Sequence, residues 1–285
     1  MTTSITGKPA NFTRQSKSFV TKFIREGRYH FIPLYWLLGL SDFAREGMAK
    51  SGSWRFADHM YRGVPSGRGL LGRWLDGLLM RLPATRSMRS RCFASRDEMR
   101  TAFDAHRERE GVAPFRILTV PCGLPRDVRD CAAGLGQTFR DRIKYTGLDL
   151  DPEASAAARE FLTGTAIAGA DLKVGDALDP AAYPATPQHF IASTGLGEFL
   201  NDASLACFYQ NVFDALAPGG TFFTSAAARG GGSATLLSAF EFEVRYRTRE
   251  DIKRLLGLQP WEAVEFRHDD VGLQTFVRAR KGGSR

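Results

Sequence analysis

Apolar positions recur at helical spacing through the first third of the chain, in "FVTKFI", "WRFADHMY", "LLGRWLDGLLMRL" and "MRTAFDAH", with no strand-like alternation. Glycine and proline punctuate these runs at "EGRYHFIP", "RGVPSGRG" and "RLPAT". Several helices are therefore expected. Ser95, with Glu98 three residues on, has the form of a capping box and predicts a helix running to about Glu110. "GVAP", residues 111–114, then supplies a stop.

From Phe115 the pattern changes to alternating strands and helices. Strands are expected at Arg116–Val120, Lys144–Asp149, Ala170–Gly175, His189–Thr194 and Gly220–Ser225. Helices are expected between them at Asp127–Leu135, Pro152–Leu162 and Ala203–Leu216. Such alternation implies parallel strands joined by crossover helices on both faces. After a Gly-rich "RGGG", Thr248 can cap a helix "REDIKRLLGL". Two last strands, about Trp261–Arg267 and Leu273–Lys281, flank the polar "HDDVG", which favours a hairpin. The expected fold class is thus α/β. It is a doubly wound, seven-stranded, mostly parallel sheet with an antiparallel last strand over residues 113–285, preceded by an all-helical segment over residues 1–112. No internal repeat interrupts it.

Composition changes this picture in two places. At 285 residues and 43% hydrophobic, the chain can bury a substantial core. Its net charge of +8 is confined to the helical segment. Residues 1–112 hold 20 Lys/Arg against 10 Asp/Glu, and the remainder holds 19 against 21. The basic charge thus serves something separate from the sheet's task. The longest apolar run, "FIPLYWLLGL", is too short for a membrane span of roughly 20 residues. No signal pattern is expected in the polar "MTTSITGKPANFTRQSK". Cys92, Cys122, Cys131 and Cys207 show no CxxC pair and no metal-ligand spacing, so they read as reduced thiols of a cytoplasmic protein without a metal site.

In doubly wound sheets ligands sit at the carboxyl ends of the strands. The first strand ends in Pro121, Cys122, Gly123 and Leu124 and opens a helix, whose free N–H groups favour an anion. Gly123 lets the backbone approach a ligand closely. The second strand ends at Asp149, an acid about 25 residues beyond the first loop, where ribose hydroxyls are bound in dinucleotide folds. An exposed carboxylate capping the next turn is the plainer alternative. The third strand ends at Asp176, beside the same crevice, either accepting from an exocyclic amine or capping a turn. The fourth ends in the small polar turn "STGLGEFL".

Taken in order, these segments resemble the class I S-adenosylmethionine-dependent methyltransferases over about residues 113–281. "ILTVPCGLPRD", "YTGLDLDPEA" and "VGDALD" are similar to the family's first three motifs. "FIASTGLGEFLNDASLACFYQNVFDALAPGGTFFTS" and the closing "TREDIKRLLGL…VGLQTFVRARK" resemble its later ones. The resemblance implies S-adenosylmethionine as cofactor. Asp149, with Leu150 beside it, would hold the ribose, and Asp176 or Ala177 the adenine. Pro121–Leu124 would run beneath the methionine part, with Thr194 near the transferred methyl group. The chain departs from the family at Thr119, where an acid is usual, and at Pro121 and Pro125, where glycine is usual. Pro125 falls at a helix start, where proline is tolerated. With Gly123 kept, the loop reads as altered but functional.

The expected activity is methyl transfer to an unidentified acceptor, small or lipid-like. Glu198 is the available candidate for a general base. "STGL" lacks the Asn/Asp-Pro-Pro-aromatic signature of DNA-base amine methylation. The loop His59–Gly69, with Tyr61, Arg62 and Arg68, reads either as a lid over the cofactor or as a connector. "RSMRSRC" (Arg86–Cys92) reads as a solvated basic face. Rival readings are RNA modification or binding through the basic helices, a noncatalytic binder with an altered loop, and a peripheral membrane protein. In the last, "YHFIPLYWLLGL", flanked by Lys22, Arg25, Arg28 and Arg45, dips into an anionic surface.

Overall fold

Among the described residues, the first unit holds the helices α1 (Phe31–Leu38), α2 (Asp42–Ala49), α3 (Trp54–Arg62) and α4 (Gly69–Arg81). The computed structural model of the protein describes residues 24–25, 27, 29, 31–49, 53–111, 113–136, 140–167, 169–228 and 244–283. Most of "FVTKFI", with Lys22 and Arg28, and all of "RGGG" lie outside them. The chain divides into two compact units, Met1–Arg81 and Leu82–Arg285.

In the first unit, Ser53 accepts the Phe56 N–H to start α3, and Gly63, at φ 63°, ends it. Phe43 of α2 stacks on Phe56 of α3 with ring centroids 4.9 Å apart. Gly47 permits this approach, because a Cβ there would meet the Phe56 ring at 2.9 Å.

The second unit opens with α5, a single helix over Pro83–Glu110. Pro83 stands at its first turn, where a missing N–H costs nothing, and no glycine or proline interrupts it before Gly111. The expected start at Ser95 is therefore wrong. Ser95 is buried mid-helix, and its hydroxyl donates to Asp127 Oδ2 at 2.5 Å. Glu98 pairs instead with Arg267, 3.0 Å away. The expected division at residue 112 would also cut α5 from its partners. Ala94, Met99 and Phe103 of α5 belong to the same buried cluster as Phe115, Ile117, Phe190 and Phe223 of the sheet.

The sheet then alternates with helices: β1 (Phe115–Thr119), α6 (Arg126–Ala133), β2 (Ile143–Asp149), α7 (Pro152–Leu162), β3 (Asp171–Val174), β4 (Gln188–Ser193), α8 (Asp202–Ala215), β5 (Leu216–Ala227), α9 (Arg249–Leu256), β6 (Trp261–His268) and β7 (Gln274–Lys281). Strand order is β3-β2-β1-β4-β5-β7-β6, with β7 antiparallel to both neighbours. The order reverses between β1 and β4, so the crevice for a ligand opens at their carboxyl ends. α5, α6 and α7 cover one face; α8 and α9 cover the other, over Leu118, Ile191 and Phe222. Thr248 caps α9 in a capping box with Asp251. Among the described residues, no helix is long and apolar enough to cross a membrane.

Candidate functional site

At the carboxyl end of β1, the loop Val120–Pro125 crosses to α6. Its backbone is fixed by the neighbouring strands: Val120 N–H donates to Ala192 O at 2.9 Å, and Cys122 N–H to Leu148 O at 2.9 Å. Gly123 has φ 45°, a left-handed conformation that a side chain would strain. Its N–H donates to Asp149 Oδ2 at 2.9 Å. Pro125, at φ −79°, stands immediately before α6, where its missing N–H is not needed. Pro121 follows a cis peptide and is exposed. Cys122 lies over Gly147 of β2, where a Cβ would meet Cys122 Cβ at 2.9 Å. Burial holds the Cys122 thiol far above its ordinary pKa, so it is a packing group and not a thiolate nucleophile.

Asp149 ends β2 with its carboxylate in a backbone cradle. Oδ2 takes the Gly123 N–H at 2.9 Å and Oδ1 the Asp151 N–H at 3.0 Å. Burial raises its pKa, and the Asp151 and Gly123 N–H groups oppose that shift. Leu150, next in line, is exposed. The unusual Thr119 is also accounted for. Its hydroxyl is paired with the buried Tyr145 hydroxyl at 2.6 Å, a position where a carboxylate would need a cationic partner.

Asp176, just past β3, is exposed, with Oδ1 accepting the Leu178 N–H at 2.9 Å. The Ala177 carbonyl beside it accepts from Tyr183 Oη at 2.9 Å and Asn211 Nδ2 at 3.2 Å. Thr194 follows β4 and is half-buried; Gly195 beside it has φ 95°.

The turn after β4 is held by two buried arginines. Arg91 Nη1 of α5 pairs with Glu198 Oε1 at 3.1 Å, both side chains about 5–6% exposed. Gln274 Nε2 reaches the same oxygen at 3.5 Å. Arg247 donates to the carbonyls of Gly197 and Leu200 and to Asp202 Oδ1 at 3.1 Å. Glu198 is thus engaged by Arg91 and Gln274. The expectation that "RSMRSRC" is a solvated face fails at Arg91, which is buried, and holds at Arg86, which is exposed. Ser193 Oγ at the end of β4, Ser225 Oγ of β5 and Gln274 Oε1 of β7 are buried without a hydrogen-bond partner among the described residues. Among those residues no cluster of His, Cys, Asp and Glu fit for a metal occurs.

No protein-family model matches the sequence, and no curated protein is significantly similar to it. Solved structures do match. A possible exported protein from Bordetella parapertussis superposes with a TM-score of 0.74 at 19% identity, over 97% of this chain and 100% of that one. The CurJ carbon methyltransferase gives 0.57 at 13% identity, over 94% and 70%. Human N-acetylserotonin methyltransferase, solved in complex with SAM, gives 0.52 at 18%, over 84% and 70%. The fold is that of the class I S-adenosylmethionine-dependent methyltransferases.

Within this methyltransferase fold, the loop Pro121–Leu124, Asp149, Leu150, Asp176, Ala177 and Thr194 all come to the carboxyl edge of one sheet. Sequence reasoning missed Arg91, Arg247 and Gln274, whose partners are remote along the chain and carry no local motif. Tyr61, Arg62 and Arg68 lie in the first compact unit. There the backbone N–H groups of Ser66 and Gly67 each donate to Asp76 Oδ2 at 2.8 Å, anchoring the loop that carries Arg68.

Proposed function

We propose that the protein is an S-adenosylmethionine-dependent methyltransferase of a small-molecule or lipid-like acceptor. The observation that carries this reading is the Asp149 carboxylate, bracketed by the Gly123 and Asp151 N–H groups at the end of β2. There the Asp149 carboxylate would accept the two ribose hydroxyls, and Leu150, Asp176 and Ala177 would hold the adenine. The loop Pro121–Leu124 would hold the methionine portion. When bound, the cofactor supplies an electrophilic methyl: the acceptor's lone pair forms the new bond as the carbon–sulfur bond breaks, leaving a neutral thioether.

The chain's contribution is alignment and exclusion of water. Thr194 and Gly195 border the transfer zone, and Arg247 holds the turn that follows. Glu198, bonded to Arg91 and Gln274, serves as a positioning residue in this reading and not as the base. The neighbours in fold whose substrates are named, such as human N-acetylserotonin methyltransferase, support a small acceptor. All four cysteines are free, which supports a reducing, cytoplasmic setting.

The test is label transfer from methyl-labelled S-adenosylmethionine to a panel of hydroxyl, amine and carbon-acid acceptors. Label is expected in an organic product, and less of it with Asp149→Ala. Cofactor binding without transfer to any acceptor would reduce the protein to a binder.

A further inference from the structure

Within the first unit, α1 and α4 carry large apolar side chains that are exposed. On α4, Gly72, Leu75, Asp76 and Met80 are buried, whereas Leu70, Leu71, Trp74 and Leu78 are 87%, 50%, 62% and 47% exposed. At about 100° per residue, those four fall within one arc of roughly 100°. The helix therefore has two apolar sides, and one of them faces outward. On α1, Leu34, Trp36 and Leu37 are exposed as well, and that helix has no charged residue. The end of α1 meets the start of α4: Leu40 O, just past α1, accepts the Arg68 N–H at 2.9 Å just before α4.

The exposed charged residues on α4 and just before it are cationic. Arg62, Arg68, Arg73 and Arg81 are all exposed. The sole acid of α4, Asp76, is fully buried and turned inward, taken up by Ser41, Phe43, Ser66 and Gly67. Residues 1–81 hold 13 Lys/Arg against 5 Asp/Glu, an excess equal to the net charge of the whole chain. The excess and the outward apolar face therefore belong to the same unit.

We propose that α1 and α4 form a peripheral binding surface for an anionic lipid bilayer. Leucines enter the acyl boundary, Trp36 and Trp74 sit at headgroup level, and the arginines meet lipid phosphates. A nucleic acid would match the charge but leaves no use for the leucines. A second copy of the chain would bring like charge against like charge around the seam. The inference does not rest on the methyltransferase reading.

Co-sedimentation of the full chain with phosphatidylcholine vesicles, with and without phosphatidylserine, tests it. Binding is expected to need phosphatidylserine, to weaken with salt, and to fall ten-fold or more in Leu70→Ser/Trp74→Ser and in Arg73→Glu/Arg81→Glu. All four positions are exposed, so melting temperatures should stay close to that of the parent chain. Absence of binding to either vesicle would overturn the proposal. So would an apolar variant that binds as the parent does, or one whose effect is to turn a dimer into a monomer. Arginine variants that lose affinity for an RNA oligonucleotide and keep it for vesicles would overturn it as well.

Discussion

Gly123 couples conformation to contact, because the φ of 45° is what aims its N–H at Asp149. Gly123→Ala adds a Cβ to a left-handed residue at about 1–2 kcal/mol. It is expected to lower the melting temperature and weaken S-adenosylmethionine binding several-fold. Pro125→Gly, at a φ that proline favours, should cost about 1 kcal/mol or less through the unfolded chain and leave affinity alone. Melts and calorimetry on both variants check the order. His189 makes a different prediction. It packs in a three-ring cluster with His106 and Phe115 at the amino end of β4, and burial with Arg116 nearby lowers its pKa to about 4. The folded state then takes up its proton later than the unfolded chain does. This group costs no stability above pH 6.5, and the loss grows as pH falls toward 4, reaching about 1–2 kcal/mol by pH 5. Denaturant titrations of His189→Asn should show a shallower loss in that window, with His106, shifted in the same direction, supplying a remainder. Gly123 and Asp149 were legible in the sequence because each is tied to a local strand-end pattern. The Thr119–Tyr145 pair was not, since neither hydroxyl announces a partner 26 residues away.

Elements differ in the same way. α7 and α9 could be read almost to the residue, because a proline or a capping box marks their starts. α5 could not, because its serines imitate caps while its burial is set by the sheet beneath it. Its Arg91–Glu198 bond joins residues 107 positions apart and fastens helix to turn. Arg91→Met should destabilise the protein by about 3–5 kcal/mol, since Glu198 is left buried and uncompensated. Adding Glu198→Gln should recover much of that loss. A double-mutant cycle in denaturant measures the coupling, and additive effects would show that the pair does not hold the turn.

At the scale of the whole chain, the boundary at Arg81 and Leu82 has a direct consequence. A fragment of residues 82–285 should melt cooperatively, whereas one of residues 113–285 should not, because it bares the surface that Ala94, Met99 and Phe103 cover. Scanning calorimetry of the two separates the cases. Charge already pointed to a two-part chain, but it could not place the cut, since α5 is both basic and part of the sheet's core. The central claim is that Asp149 holds the ribose of S-adenosylmethionine, and titration calorimetry of the full chain against Asp149→Ala tests it most directly. Charge-assisted hydrogen bonds contribute about 1.5–3 kcal/mol, so the account predicts measurable binding by the parent chain and at least a ten-fold weaker Kd in the variant. Equal affinity in the two, or no binding by the parent chain, would contradict it.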